Sequence, residues 1–419
     1  VTVVWLSLAS AGVGQDFELS RLVGTGDRLW PLPAAPLEFA ADAVISGEFV
    51  AFYAQAFDGL GGVVDGWWLW DGSSFQLLVD STMPIAQGSF LPIVQFGVDD
   101  GGLVAMHLEF NGVFAWRVGV TTPIAMVGGT PPNTPPGGPF YGFTRPTVRD
   151  GAVYFLGGIS GLPVGEDVRL YRWTAALGLE ELALDPSRCC LGLPVPAEED
   201  GDLWLLSADT TVVPEVFGIQ RRSANGALAE LFRFDQPHPD GPPGSTWLGN
   251  FQQIAPLPGG VALGARDSID GRSGLYRISP GVVEKVLMDG DSEPVTGSPI
   301  EGFLPYYAAS EDRIAFVAVG LGQHGLSVQH PDRSFTGITG MGQTLGGGTV
   351  GFLNVLPGGL SGDRLAFHAQ TSNDGAVWIA DFGGPPPPNP LEIPTLGSWA
   401  LAVLGLALAA AAGARLRRA

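Results

Sequence analysis

Short apolar runs, each opened by a Gly or Asp turn, recur along this chain at a nearly constant distance. They read Gly47-Glu48-Phe49-Val50-Ala51-Phe52, Gly102-Leu103-Val104-Ala105-Met106, Gly151-Ala152-Val153-Tyr154-Phe155 and Gly201-Asp202-Leu203-Trp204-Leu205. Gly260-Val261-Ala262-Leu263, Asp312-Arg313-Ile314-Ala315-Phe316 and Gly362-Asp363-Arg364-Leu365-Ala366-Phe367 follow. From Val50 to Leu365 the spacings lie between 49 and 57 residues, with a mean near 52. Each unit continues into a second run that often carries Trp or Tyr, as in Trp67-Trp68-Leu69-Trp70, Leu170-Tyr171-Arg172-Trp173 and Val377-Trp378-Ile379. A third run follows, for example Phe75 to Val79 or Val282 to Met288. A Pro/Gly-rich loop then leads to a further short segment, such as Phe140-Tyr141-Gly142-Phe143. Aromatic and β-branched runs bounded by Gly and Pro are strand signals, and no long 3.6-period segment competes with them inside the repeat. About four strands per unit at this period predict an all-β, seven-bladed propeller.

The seventh unit stops at Asp381-Phe382 without its outer strand. The N-terminal stretch Phe17-Glu18-Leu19-Ser20-Arg21-Leu22-Val23 reads like the third run of other units. An open blade leaves an unpaired edge, so this stretch is expected to complete the last blade beside Val377 to Ile379. The repeat resembles a tandem-repeat propeller family of bacterial proteins that bear C-terminal sorting signals. Ala315-Phe316, Gly274-Leu275-Tyr276, Leu78-Val79-Asp80 and Pro256-Leu257-Pro258-Gly259-Gly260 carry the likeness, which covers about Phe17 to Phe382. It brings no catalytic residues with it.

The C-terminus has a different pattern. Ile393-Pro394-Thr395-Leu396-Gly397-Ser398-Trp399 precedes an apolar run, and Arg415, Arg417 and Arg418 close the chain. Leu396 to Ala414 contains no charged residue. As a helix it would span roughly 28 Å, about a bilayer's hydrocarbon thickness. The terminal arginines predict a cytoplasmic end and a body outside the membrane. This order of motif, apolar helix and Arg cluster resembles the IPTL-CTERM class of bacterial sorting signals, relatives of the PEP-CTERM signals handled by exosortase-type membrane proteases. The resemblance implies an exosortase-type sorting protease as a partner and Ile393, Pro394, Thr395, Leu396, Trp399, Arg415, Arg417 and Arg418 as the signal. The family places Ser-Glu between Leu and Trp and Gly after Trp, where this chain has Gly397-Ser398 and Ala400. A processed tail and a plain single-pass anchor both remain open. Val3 to Ala9 followed by Ala9-Ser10-Ala11 reads as a signal-peptide remnant over 1–15. The expected organisation is therefore a remnant at 1–15, a propeller at 17–382, a Pro-rich linker and sorting motif at 383–394, a transmembrane helix at 395–414 and a basic tail at 415–419. Pro385 to Pro390 is a polyproline II spacer of roughly 20 Å.

Composition narrows the function classes. The 419 residues include 62 Gly and 35 Pro, only 15% are charged, and the net charge is −21. So acidic a chain repels phosphates, which excludes nucleic acid as a partner. The two cysteines, Cys189 and Cys190, are adjacent and cannot staple a long loop or frame a four-ligand zinc site. Gly320-Leu321-Gly322-Gln323-His324-Gly325 matches G-x-G-x-x-G, but a strand follows it where a dinucleotide site needs a helix, so it reads as a hairpin turn. His107, His238, His324, His330 and His368 show no metal-ligand spacing, although His107 and His368 fall just after first runs and so near a loop rim. The loops Asp289 to Glu293 and Asp267 to Gly271 gather oxygen ligands for calcium without an EF-hand pattern; otherwise no cofactor is expected. Most tryptophans should pack between blades, while Trp67, Trp68 and Trp70 put aromatics on both strand faces and leave one for solvent. The function expected is an exported, envelope-sorted, non-catalytic binding or display module with a polysaccharide or protein ligand. The alternatives are a propeller hydrolase or lyase acting on polysaccharide and a purely structural envelope component. Catalysis would require convergent carboxylates or histidines at the channel mouth.

Overall fold

A computed structural model describes residues 17–30, 36–57, 62–83, 95–108, 111–132, 138–163, 167–182, 188–190, 195–196, 202–209 and 216–383. They form seven antiparallel sheets that follow one another along the chain. Blade 1 comprises Leu37–Ser46, Phe49–Phe57, Val63–Trp70 and Phe75–Asp80, ordered from the centre outward. Blades 2 to 6 repeat the plan, and their second strands are Val104–Leu108, Ala152–Ile159, Leu203–Asp209, Gly260–Asp267 and Arg313–Gly320. Blade 7 has Gly348–Asn354 with Leu360–Ser361 innermost, then Arg364–Thr371 and Gly375–Asp381. The innermost strands of successive blades touch one another all the way round, blade 7 meeting blade 1.

The ring closes through the N-terminus. Glu18–Gly24 pairs antiparallel with Gly375–Asp381, Leu19 opposite Ala380 and Val23 opposite Val377, and is the outermost strand of blade 7. Leu22 and Val23 are buried, and Arg21 donates to Asp374 at 2.5 Å and to Asp27 at 2.7 Å. The spare strand at one end of the chain thus meets the missing one at the other.

Period-two alternation explains the core. In blade 1, Val50, Phe52, Trp68 and Trp70 face blade 7, where Ala366, Val377 and Ile379 meet them. Ala51, Tyr53, Trp67 and Leu69 face blade 2 and pack against Phe96, Met106 and Trp116. A blade between two neighbours has no wet face, so both strand faces are apolar. The expectation of an exposed aromatic face at Trp67, Trp68 and Trp70 is therefore corrected: they are 1%, 5% and 5% exposed.

Antiparallel order also sorts the connections. The hairpins joining first to second and third to fourth strands lie on one face of the ring, here the turn face. The links from second to third strand and from blade to blade lie on the opposite, loop face. The turn face laces blades together. Asp99 accepts from Gly151 N–H at 2.9 Å, Arg277 pairs with Asp312, and Arg313 pairs with Asp363. Gly362 N–H donates to Ser310 Oγ and Gly47 N–H to Ser361 Oγ, each at 3.0 Å. Gly47 takes φ of +55° in its tight hairpin, while its carbonyl accepts from Arg364 at 2.8 Å. Among the described residues no helix is long and apolar enough to cross a membrane. The run from Leu396 to Ala414 lies outside them.

Deleting residues 1–24 removes the closing strand and exposes the edge of Gly375–Asp381. Losing the burial of Leu22 and Val23 alone costs about 3–6 kcal/mol, so the variant should melt far lower or be insoluble. A thermal melt indistinguishable from the parent would refute closure.

Candidate functional site

Among the described residues, six inner strands are bulged or divided. Register slips between Ala41 and Val44 in blade 1 and between Phe303 and Tyr307 in blade 6. Blade 5 slips between Gly249 and Ile254, and blade 7 between Val350 and Phe352. Blade 3 divides into Phe140–Phe143 and Thr147–Arg149, blade 4 into Arg188–Cys190 and Val195–Pro196. Residues freed from ladder pairing in this way leave their side chains and backbone groups for contacts between blades.

Asp42 and Arg145 are two of them. Asp42 sits in the blade 1 bulge at φ +49°, a left-handed conformation that costs a non-glycine residue about 1 kcal/mol or more. Arg145, from the break in blade 3, donates through Nε to Phe96 O at 3.2 Å and through Nη2 to Pro357 O at 2.6 Å. One guanidinium thus ties blade 3 to blades 2 and 7. Ile45 N–H adds a bond from blade 1 to Gly358 O at 2.8 Å. Burial pushes the Asp42 carboxyl up, against the pull of the Arg145 cation.

Tyr53, on the second strand of blade 1, extends the cluster. Its hydroxyl donates to Asp65 Oδ2 at 3.2 Å and accepts from Gln55 Nε2 at 3.5 Å. Burial, then the charges of Asp65 and Asp42, raise the Tyr53 pKa well above the usual tyrosine range, so the ring keeps its proton. The arrangement brings two carboxyl groups, a neutral phenol and a cation into neighbouring positions on the ring, groups that can hydrogen-bond a polar ligand.

The histidines flank this wall. His107 and His368 occupy the same repeat position as Tyr53, on blades 2, 7 and 1 in turn. The His107 ring lies 6.1 Å from Phe143, and His368 lies 5.7 Å from Phe352. His107 Nδ1 and His368 Nε2 are buried without a hydrogen-bond partner. Burial lowers both to about 4. His238 is buried elsewhere, its Nε2 3.1 Å from Tyr276 Oη and its Nδ1 3.8 Å from Asp267.

The acidic loops turn their oxygens inward. Asp267 Oδ1 accepts from the N–H groups of Ile269 and Asp270 at 2.8 and 2.9 Å. Glu293 accepts from Val295 and Thr296 N–H at 3.0 and 2.5 Å, and Asp289 accepts from Ser273 N–H at 2.7 Å. Among the described residues no three His, Cys, Asp or Glu gather as a metal-holding group. Gly320 to Gly325 is the hairpin expected, turning at Leu321-Gly322 between Arg313–Gly320 and Gln323–Gln329. Cys189 and Cys190 pair through their backbones with Ala208 and Ser207 in blade 4. Ile393, Pro394, Thr395, Leu396, Trp399, Arg415, Arg417 and Arg418 lie outside the described residues.

The sequence reading missed Asp42, Tyr53 and Arg145. For Arg145 a signal was present: Thr144-Arg145-Pro146, like Leu304-Pro305 and Leu356-Pro357, puts a proline in the middle of an inner strand, whereas the inner strand that holds Asp42 has none. Proline lacks the ladder N–H, so it marks a break.

Comparison with known proteins supports both halves of the chain. Residues 393–418 match the IPTL-CTERM motif. No curated protein matches the chain. Among solved structures, the β-propeller domain of the Trilobed protease from Pyrococcus furiosus, described as having an open velcro topology, aligns with TM-score 0.52 at 10% identity, covering 83% of this chain and 99% of that one. Oligogalacturonate lyase from Vibrio parahaemolyticus aligns with TM-score 0.51 at 11% identity, covering 91% and 97%. A puromycin-hydrolyzing peptidase of Mycobacterium tuberculosis aligns with TM-score 0.46 at 13% identity; the match takes in 83% of this chain and about half, 52%, of that one. The first two show the propeller fold. The chain is thus a seven-bladed β-propeller carrying an IPTL-CTERM motif, which implies an exported, envelope-associated protein.

Two measurements test the site. Asp42→Gly relieves the left-handed backbone, so it should raise unfolding free energy by about 1 kcal/mol; a loss of stability would contradict the strain. The folded-state pKa values of His107 and His368 lie below the unfolded value of about 6.5. Protons therefore favour the unfolded chain, and stability present above pH 6.5 should fall toward pH 4, by up to about 3 kcal/mol for each histidine. Urea unfolding of His107→Gln/His368→Gln should show a shallower decline over that range than the parent.

Proposed function

We propose that this chain is an exported, envelope-held propeller that binds its ligand across the loop face without transforming it. The supporting observation is where the apolar surface lies. Of thirteen large hydrophobic side chains exposed among the described residues, nine lie in the loop-face half: Phe57, Val63, Met126, Val127, Tyr141, Leu248, Ile269, Leu321 and Phe352. The opposite face spends its polar groups on lacing blades together, so it offers fewer unengaged groups to a ligand. Exposed aromatics beside hydrogen-bonding groups suit sugar rings: Tyr141 is bonded to Asp167 at 2.8 Å, and Phe352 lies against His368. The net charge of −21 disfavours polyanions. The ligand is therefore an uncharged polysaccharide of the envelope. The tail brings in a sorting protease of exosortase type as the processing partner, and until processing the helix at 395–414 holds the body outside the membrane.

A second reading, polysaccharide cleavage, is favoured by one observation: Tyr53 donates to Asp65 at 3.2 Å and feels the charge of Asp42, which the Arg145 cation opposes. The lyase and peptidases among the fold's relatives share too little sequence to choose between the readings.

Calorimetric titration of the purified full chain with uncharged envelope polysaccharide should show binding that Phe352→Ala/Tyr141→Ala weakens about tenfold or more, with no new reducing ends or unsaturated products. Products that disappear in Asp42→Asn would replace binding with catalysis. Protease added to intact spheroplasts should digest the body; protection would place it inside.

A further inference from the structure

The direction of the chain at its two ends orients the ring. Gly375–Asp381 runs from the loop face to the turn face, and Phe382 N–H donates to Asp363 O at 2.8 Å in a turn-face hairpin. Glu18, the first residue of the closing strand, is opposite Asp381, so the N-terminal segment enters at the same face. The Phe17 and Phe382 rings lie 5.6 Å apart there. Both flanking segments thus leave the propeller together, on the turn face. Eleven residues separate Gly383 from Thr395, where the apolar run starts. Fully extended as polyproline II they would reach about 35 Å, so in a membrane-held chain the turn face is the face next to the tether.

That face carries an arc of unusual hairpins. The turns between third and fourth strands in blades 2 to 5 are Arg117-Val118-Gly119-Val120, Thr174-Ala175-Ala176-Leu177-Gly178, Ser223-Ala224-Asn225-Gly226-Ala227 and Ser279-Pro280-Gly281-Val282. None contains an acidic residue. The equivalent turns of blades 1 and 6 contain Asp71 and Asp332, and the blade 7 edge carries Asp381 and Glu18. In a chain of net charge −21, the third-to-fourth turns of these four blades are acid-free, while the acidic groups of blades 2 and 3 on this face, Asp99, Asp100 and Asp150, sit in the first-to-second hairpins nearer the centre. Three of the four tips are apolar and open, those of blades 2, 3 and 5: Val118 is 83% exposed, Leu177 72%, Val120 64% and Val282 56%; the blade 4 turn carries Asn225 instead. Val118 also stands at φ +48°, where a β-branched side chain is strained and Asn or Gly is the usual choice. Folding does not call for an apolar, strained residue at a solvent-exposed tip.

We infer that the turn face is a lipid-contact surface, and that the turns of blades 2, 3 and 5 seat Val118, Val120, Leu177 and Val282 in the interface of the membrane that holds the tail. This rests on the proposed membrane-held form. The loop face then points away from the bilayer, toward the ligand. Contact of this kind needs no basic patch, because apolar tips partition into a neutral interface and the adjacent tether supplies a high effective concentration.

The test is photo-crosslinking of the full chain reconstituted in neutral phosphatidylcholine vesicles containing a phosphatidylcholine with a diazirine on its acyl chain. Leu321, an exposed apolar tip at φ +38° on the loop face, is the internal control. Label should appear in peptides spanning 117–120, 174–178 and 279–282 as well as in 395–414, and not at 321–322. Val118→Asn suits the left-handed turn, so it should raise the melting temperature while lowering label at 117–120 by about fivefold or more. A labelled tail with turns no more labelled than Leu321 overturns the lipid-contact face and leaves the anchor standing. Unchanged label in Val118→Asn also overturns it. An unlabelled tail removes the anchor and this inference together.

Discussion

Everything in this protein hangs on seven residues at one end of the chain pairing with seven at the other. Glu18–Gly24 lies against Gly375–Asp381 and turns a three-stranded terminal blade into one like the rest. Without it, blade 7 would show an open edge, and its contact with blade 1 would lose Leu22 and Val23. That contact also includes Phe52, Trp68 and Trp70, so the penalty spreads into the first blade. The Arg21 pairs with Asp374 and Asp27 then fix the register at the loop face. This pairing joins residues more than 350 positions apart, so its loop-closure entropy is far larger than that of any hairpin in the ring.

Closure has a second consequence, because it settles where the chain leaves. With the N-terminal strand outermost in blade 7, both flanking segments depart from the turn face. That face is already occupied by hairpins that lace neighbours together, from Asp99 and Gly151 to Arg364 and Gly47. The loop face is left with links between blades and with most of the exposed aromatic and aliphatic groups. Division of labour between the faces follows from antiparallel order alone, before any ligand is considered. The channel joins the two. Its bulged inner strands place Asp42 and Arg145 off the ladder, and Arg145 spends its donors on carbonyls of blades 2 and 7.

The architecture was legible in the sequence because it repeats. Val50-Ala51-Phe52 and Leu365-Ala366-Phe367 show the same turn and the same alternation, and a spare strand at Phe17 matched a missing one after Phe382. Trp67, Trp68 and Trp70 were misread because alternation was taken to mean one wet face, whereas a propeller blade is covered on both. The channel cluster was illegible for the opposite reason. Asp42 and Arg145 lie where the repeat is interrupted, in bulges that a periodic search passes over. Pro146 betrays the break at Arg145, but nothing in Leu37–Ser46 marks the bulge at Asp42. The tail was legible as a motif, since Ile393 to Arg418 keeps its order of signal, apolar run and arginines.

The most direct test of the account is native-state hydrogen exchange on the full chain, resolved at the closing strand. If the pairing of Glu18–Gly24 with Gly375–Asp381 holds the ring shut, their ladder amides should exchange only with global unfolding, at the same free energy as Val50 to Ala54 in blade 1. Amides at 18–24 that exchange through local opening, about a thousandfold faster or more than those of blade 1, would show a ring that stands without its closing strand and would contradict the account.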